Sequence, residues 1–184
     1  MDKKMTDDYN LPEIAKSLAS RLQKQRDKWI TAFYQALHDF QPICEQYKLS
    51  MEAALPIVSA FQIVHVMSFI HTNEYIREQQ IGDFITPLTE SLYGHPTDDW
   101  MKYVKQYQTN KQKDLSEQVC RLSEDVAMAI MESHAGMLYG PGFAVMAMEF
   151  LYRNWGIVAD HFGDTVKVEE CAKAVKSIHT GSNK

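Results

Sequence analysis

The sequence is poor in the residues that mark specialised chemistry. Only three cysteines, Cys44, Cys120 and Cys171, stand among 184 residues. Their odd number and the lack of CxxC spacing give no indication of a disulfide framework or a zinc cluster, and they read as reduced thiols of a cytoplasmic protein. Glycine (8) and proline (6) are too few for a collagen-like or low-complexity chain. Positive charge is short as well: 19 Lys and Arg against 24 Asp and Glu give a net charge of -5. No basic cluster marks a predicted helix face, so nucleic acid is not an expected partner. The opening residues Met1 to Asp8 hold no apolar run of the kind that directs export.

Catalytic and cofactor motifs are absent too. There is no GxGxxG, GxxxxGK[ST], HExxH, GxSxG or EF-hand loop. The paired Glu-x-x-His motifs of a helical di-metal site are missing. His71 and Glu74 show that spacing once, in reverse order, and read as a surface pair, so no metal is expected.

One long stretch lacks charge. Ala53 to Ile70 contains no Asp, Glu, Lys or Arg, and its length approaches the roughly 20 residues that cross a bilayer. Pro56, Ser59, Gln62, His65 and Ser68 make it too polar to face lipid, and its flanks carry no basic excess. It is expected to be a core helix, enclosed on nearly all sides, with no membrane as partner.

What is present is helical periodicity. Ile14, Leu18, Leu22, Trp29, Phe33, Leu37 and Phe40 recur at helical spacing after Asn10 and Pro12, a capping residue and a first-turn proline. The Ala53–Ile70 helix is expected to continue as a polar segment from Glu74 to Gln80 and to stop at Gly82. A short helix from Asp83 to Tyr93 follows, and Thr97 is expected to cap the next, whose inner face is Trp100, Tyr103, Val104 and Tyr107. Whether Trp100 to Tyr139 forms one helix or two is open from the pattern alone. Leu115, Val119, Leu122, Val126 and Ile130 lead towards Gly140-Pro141-Gly142, where two glycines around a proline predict the turn of a central antiparallel hairpin. Its second helix runs from Phe143 to about Phe162. Gly163-Asp164 then recaps the chain for a last helix through Val168, Ala172, Val175 and Ile178. No segment alternates with period two. With 45% hydrophobic and 23% charged residues, the chain is expected to be a single all-α domain of six or seven helices, with frayed tails at 1–9 and 180–184.

Three groups of residues are candidates for function. Phe61, His65, Ser68 and Thr72 fall on one side of the uncharged helix, a polar stripe that serves as a hydrogen-bond seam or as the wall of a pocket. In the hairpin, residues equally far from the turn face each other, which brings Glu132 and His134 to the level of Glu149, with Arg153 one turn beyond. Those groups suit either acid–base chemistry, with Glu149 and His134 as catalytic candidates and Tyr139 assisting, or a buried ion-pair network. Met128, Met131, Met137, Met146 and Met148 crowd the same hairpin and suit a deformable pocket or a homodimer face.

These features predict a cytoplasmic ligand-binding or regulatory domain, with an internal apolar pocket drawn from Phe61, His65, Ser68, Met137, Tyr139, Met148 and Arg153. An apolar or aromatic small molecule, haem among them, is the expected type of ligand, and a homodimer the expected assembly. The alternatives are a small helical enzyme and a protein-binding adaptor or inhibitor.

Overall fold

Leu55–Thr72 is the axis of the molecule, and ten consecutive residues of it, Ile57 to Val66, are buried. A helix buried through almost three turns must be wrapped by others, and this one packs against five. The structure, a computed structural model, describes residues 10–94, 98–109 and 114–181. In chain order the helices are α1 (Leu11–His38), α2 (Gln41–Gln46), α3 (Leu55–Thr72), α4 (Ile81–Tyr93), α5 (Asp98–Thr109), α6 (Leu115–Ile130), α7 (Gly136–Tyr139), α8 (Ala144–His161) and α9 (Thr165–Gly181). Short 3-10 turns at Glu52–Ala54, Glu78–Gln80 and Gly140–Phe143 link them, and no strand occurs among the described residues. The all-α class is as the periodicity predicts.

The α3 neighbours are α1, α4, α5, α6 and α8. Leu18, Leu22, Trp29, Phe33 and Leu37 of α1 bury the predicted stripe, while Phe40 lies past the helix end and is exposed. Each fully buried Leu or Phe of this kind contributes about 1.5–3 kcal/mol relative to an exposed one. Glu52–Thr72 is long and apolar enough to cross a membrane, and two thirds of its apolar window (67%) is buried inside the protein. On the outside, α9 packs along α8, where a Cβ added at Gly156 would stand 3.5 Å from Cys171 Cβ.

Several boundaries differ from the sequence reading, for one physical reason. α3 and α6 both end in Schellman motifs, with Glu74 (φ 53) and Glu132 (φ 48) in the left-handed position that glycine usually fills. Tyr75 N–H donates to Ile70 O (3.2 Å) and Glu74 N–H to His71 O (3.1 Å); Ser133 N–H donates to Met128 O (3.1 Å) and Glu132 N–H to Ala129 O (3.2 Å). Thus α3 stops at Thr72 rather than running on towards Gln80, and Gly82 lies inside α4 rather than ending a helix. The chain reversal between α6 and α8 likewise begins at Glu132, not at Gly140-Pro141-Gly142. Gly140 is helical (φ -52, ψ -46), and Pro141 occupies the first turn of the 3-10 segment that leads into α8.

Gly136 and Gly140, four residues apart, let this segment lie directly on α6. A Cβ at Gly136 would stand 2.2 Å from Met128 N, and one at Gly140 would stand 2.4 Å from Glu124 Cα. Trp100 to Tyr139 is neither one helix nor two: it holds the greater part of α5, all of α6, which begins after the cap Asp114, whose carboxylate accepts from Ser116 N–H (3.4 Å), and the short α7. The α8–α9 break falls where expected, at Gly163 (φ 71) and Asp164. The proposed Thr97 cap lies outside the described residues, as do the tails at 1–9 and 182–184; Thr180 and Gly181 belong to α9.

Candidate functional site

The expected acid–base pair is not assembled in the way the hairpin geometry suggested. Glu149 accepts from Arg153 Nε (2.6 Å) one turn along α8, and its other oxygen lies 3.2 Å from His179 Nε2 on α9. His134 and Glu132 are exposed, on the segment between α6 and α7. The earlier reversal moves them away from the register that a turn at Gly140 would set. Nor is the pair a buried network: the Arg153 side chain is 46% exposed, so the contact belongs to the surface class, whose median contribution is about 0–1 kcal/mol.

The α3 stripe is enclosed by aromatic rings. His65 is buried with its ring 4.2 Å from Phe61, which meets Tyr107 edge-on at 5.3 Å. Trp155 Nε1 donates to the His65 carbonyl (3.3 Å), and Ser68 is half-buried. Met148 is half-buried too. Met137 is 49% exposed and its neighbour Leu138 82% exposed, while Tyr139 packs against Phe40 at 5.8 Å. Phe61 and His65 thus come together in the core, and Met137 sits at the surface.

A buried polar network runs beside that core. Gln62 donates to Leu22 O (3.0 Å) and Asn154 Oδ1 (2.7 Å), and accepts from Tyr93 OH (3.0 Å). Arg26, also buried, donates to Leu92 O (3.1 Å) and lies 5.5 Å over the Tyr93 ring. Burial pushes the Tyr93 phenol far up, keeping it protonated. The signal for this network was present in the sequence, since Arg26 sits on the α1 stripe between Leu22 and Trp29. Every group named here has a partner, and such a network fixes register between helices.

A cleft of about 1290 Å³ lies at the other end of the bundle. Three segments meet there: the first turns of α1, the loop after α3, and the end of α8. Ile14, Tyr75, Ile76 and Phe162 give it apolar surface, and Ser17, Asn73 and His161 add polar groups. The Schellman turn at Glu74 aims the chain back so that Tyr75 is buried against α8. Its ring stacks on Phe162 at 4.9 Å and 14°, and its hydroxyl donates to Asp164 Oδ2 (2.9 Å). Burial first, then the Asp164 carboxylate, raise the Tyr75 pKa well above the ordinary phenol value.

His161 is held neutral at pH 7. Burial, then the nearby Arg21 guanidinium, lower its pKa below 6.5. Its Nε2 lies 3.1 Å from Ile14 O; a carbonyl only accepts, so Nε2 carries the proton and Nδ1 presents a lone pair. Arg21 itself pairs with Asp160 at 2.7 Å. No three metal-ligating side chains converge among the described residues. The sequence reading missed this cleft because its residues come from three separated segments, none with a motif.

Comparison of the chain with family models, with curated proteins and with solved structures gives no match.

Proposed function

We propose that the protein is a small-molecule-binding helical domain and that the cleft between α1, the post-α3 loop and α8 is its ligand site. The observation that carries this reading is one juxtaposition: a stacked Tyr75–Phe162 pair beside a neutral histidine, in a cleft of about 1290 Å³. Ligand sites typically join apolar and aromatic walls to a few fixed polar groups, and perturbed titration marks such groups. The aromatic ligand expected from the sequence is retained; its site moves from the α3–hairpin interior to the cleft. Nothing in the cleft favours haem over another aromatic body.

A bound molecule would touch three segments distant in sequence. Its binding free energy would then stabilise their packing, which is the physical basis for a regulatory role. Fluorescence titration with dansylamide, a neutral aromatic probe, tests the reading. Saturable binding is expected, weakened at least about tenfold by Ser17→Trp, which fills the mouth from an exposed position of α1. Binding unaffected by that variant would place the site elsewhere. The expected homodimer is a separate proposal, supported by the exposed Met137 and Leu138 beside the Phe40–Tyr139 contact; sedimentation equilibrium of Leu138→Glu against the parent tests it, and an unchanged mass of one chain for both would reject it.

A further inference from the structure

The charged groups at the cleft mouth define which molecules it would take. Glu13, Glu74 and Glu78 line it from exposed positions, against the guanidinium of Arg77. His161 is the neutral imidazole in its major form at pH 7, because burial, then Arg21, disfavour the protonated form. With Nε2 committed to Ile14 O, its remaining nitrogen is an acceptor. Inside, the Tyr75 and Phe162 rings lie nearly parallel, 4.9 Å apart. Aromatic faces attract cations, most strongly where water is partly excluded.

Resting on the assignment of the cleft as the ligand site, we infer that its ligand is an organic amine: an ammonium group carried on an apolar or aromatic body. The ammonium satisfies the carboxylates and an imidazole lone pair, all of which accept. The body covers Ile14, Ile76 and the aromatic pair. An anion of the same shape meets three carboxylates and one guanidinium, a net repulsion. The volume, larger than the ~300–1,000 Å³ of common ligand pockets, leaves room for both ends of such a molecule.

The experiment compares two probes with one fluorophore and opposite charge, dansylcadaverine (a primary amine) and dansylglycine (a carboxylate). With the intact chain at low salt, dansylcadaverine is expected to bind about tenfold more tightly, the effect of a few carboxylates at partly screened distances. Raising ionic strength to about 0.5 M should narrow the ratio. In the double variant Glu13→Gln/Glu78→Gln, both positions exposed, the ratio should fall towards one, and a ratio unchanged from the parent's overturns the amine assignment. Equal binding of the two charged probes by the parent, or a preference for dansylglycine, overturns the amine assignment while leaving the cleft as a ligand site. If both charged probes and neutral dansylamide fail to bind, the site assignment itself is wrong and the amine assignment falls with it.

Discussion

Tyr75 and Asp164 join the loop after α3 to the α8–α9 turn: the phenol donates to Asp164 Oδ2 at 2.9 Å, while Oδ1 of the same carboxylate caps α9 by accepting from Lys167 N–H at 3.2 Å. One aspartate therefore holds a wall of the cleft and the start of the last helix. Tyr75→Phe should destabilise the protein by about 1.5 kcal/mol, the value of a hydrogen bond to a charged group. Asp164→Ala should cost about 1 kcal/mol more, because the cap is lost as well. In urea denaturation the double variant should fall short of the summed single effects by about 1 kcal/mol. Simple additivity would show that the contact contributes nothing.

His161 predicts a specific pH dependence. Its folded pKa lies below 6.5, so just below that pH the unfolded chain binds a proton that the folded chain refuses. Stability contributed by this group is therefore complete at higher pH and declines as the pH falls through 6.5 towards the folded pKa. Melting temperature should drop more between about pH 7.5 and about pH 5.5 for the parent than for His161→Gln, which keeps a donor for Ile14 O. Identical pH profiles would mean that the imidazole is not held neutral.

The left-handed glutamates give a prediction of opposite sign. Glu132 bears a φ of 48° at an exposed position, and a non-glycine residue there costs about 1–2 kcal/mol. Glu132→Gly should raise stability by about 1 kcal/mol despite removing a side chain. A loss of stability would argue against the Schellman turn.

Gly136 and Gly140 should tolerate no methyl group. Their missing Cβ atoms would stand 2.2 Å and 2.4 Å from α6 backbone atoms, whereas Gly142 has nothing within 4 Å. Each of Gly136→Ala and Gly140→Ala should cost about 3 kcal/mol through overpacking. Gly142→Ala should be neutral or stabilising by about 0.5 kcal/mol, since it reduces the freedom of the unfolded chain. Thermal unfolding of the three variants reads the contrast directly.

The elements whose boundaries carry ordinary signals were legible in the sequence. The α1 stripe, the all-round burial of α3, and the recapping at Gly163 and Asp164 are examples. The boundaries that misled were those where glutamate does the work of glycine. Asn73 follows Thr72 but sits at the C-cap with φ -97, and the left-handed positions fall on Glu74 and Glu132 instead; with no Gly or Asn at those two positions the pattern carries no stop signal, and the conspicuous Gly140-Pro141-Gly142 takes the place of the true reversal. That displacement carried into the site reading, because the facing of His134 and Glu149 depended on it. Glu149 pairs with Arg153, as a spacing of four on one helix allows; its second partner, His179, comes from a helix whose position against α8 no local pattern encodes. The cleft was invisible for the same reason: Ser17, Tyr75 and His161 share a wall only once α1, α3 and α8 have packed.

The central claim is where a small molecule binds. Hydrogen–deuterium exchange with and without saturating dansylamide tests it most directly, because a bound ligand slows exchange in the segments it bridges. Slowed exchange is predicted in the first turns of α1, in the loop from Asn73 to Glu78, and at His161 and Phe162 together. Protection confined to the surroundings of His65 and the Met137–Met148 segment, with the cleft segments unchanged, would contradict the account.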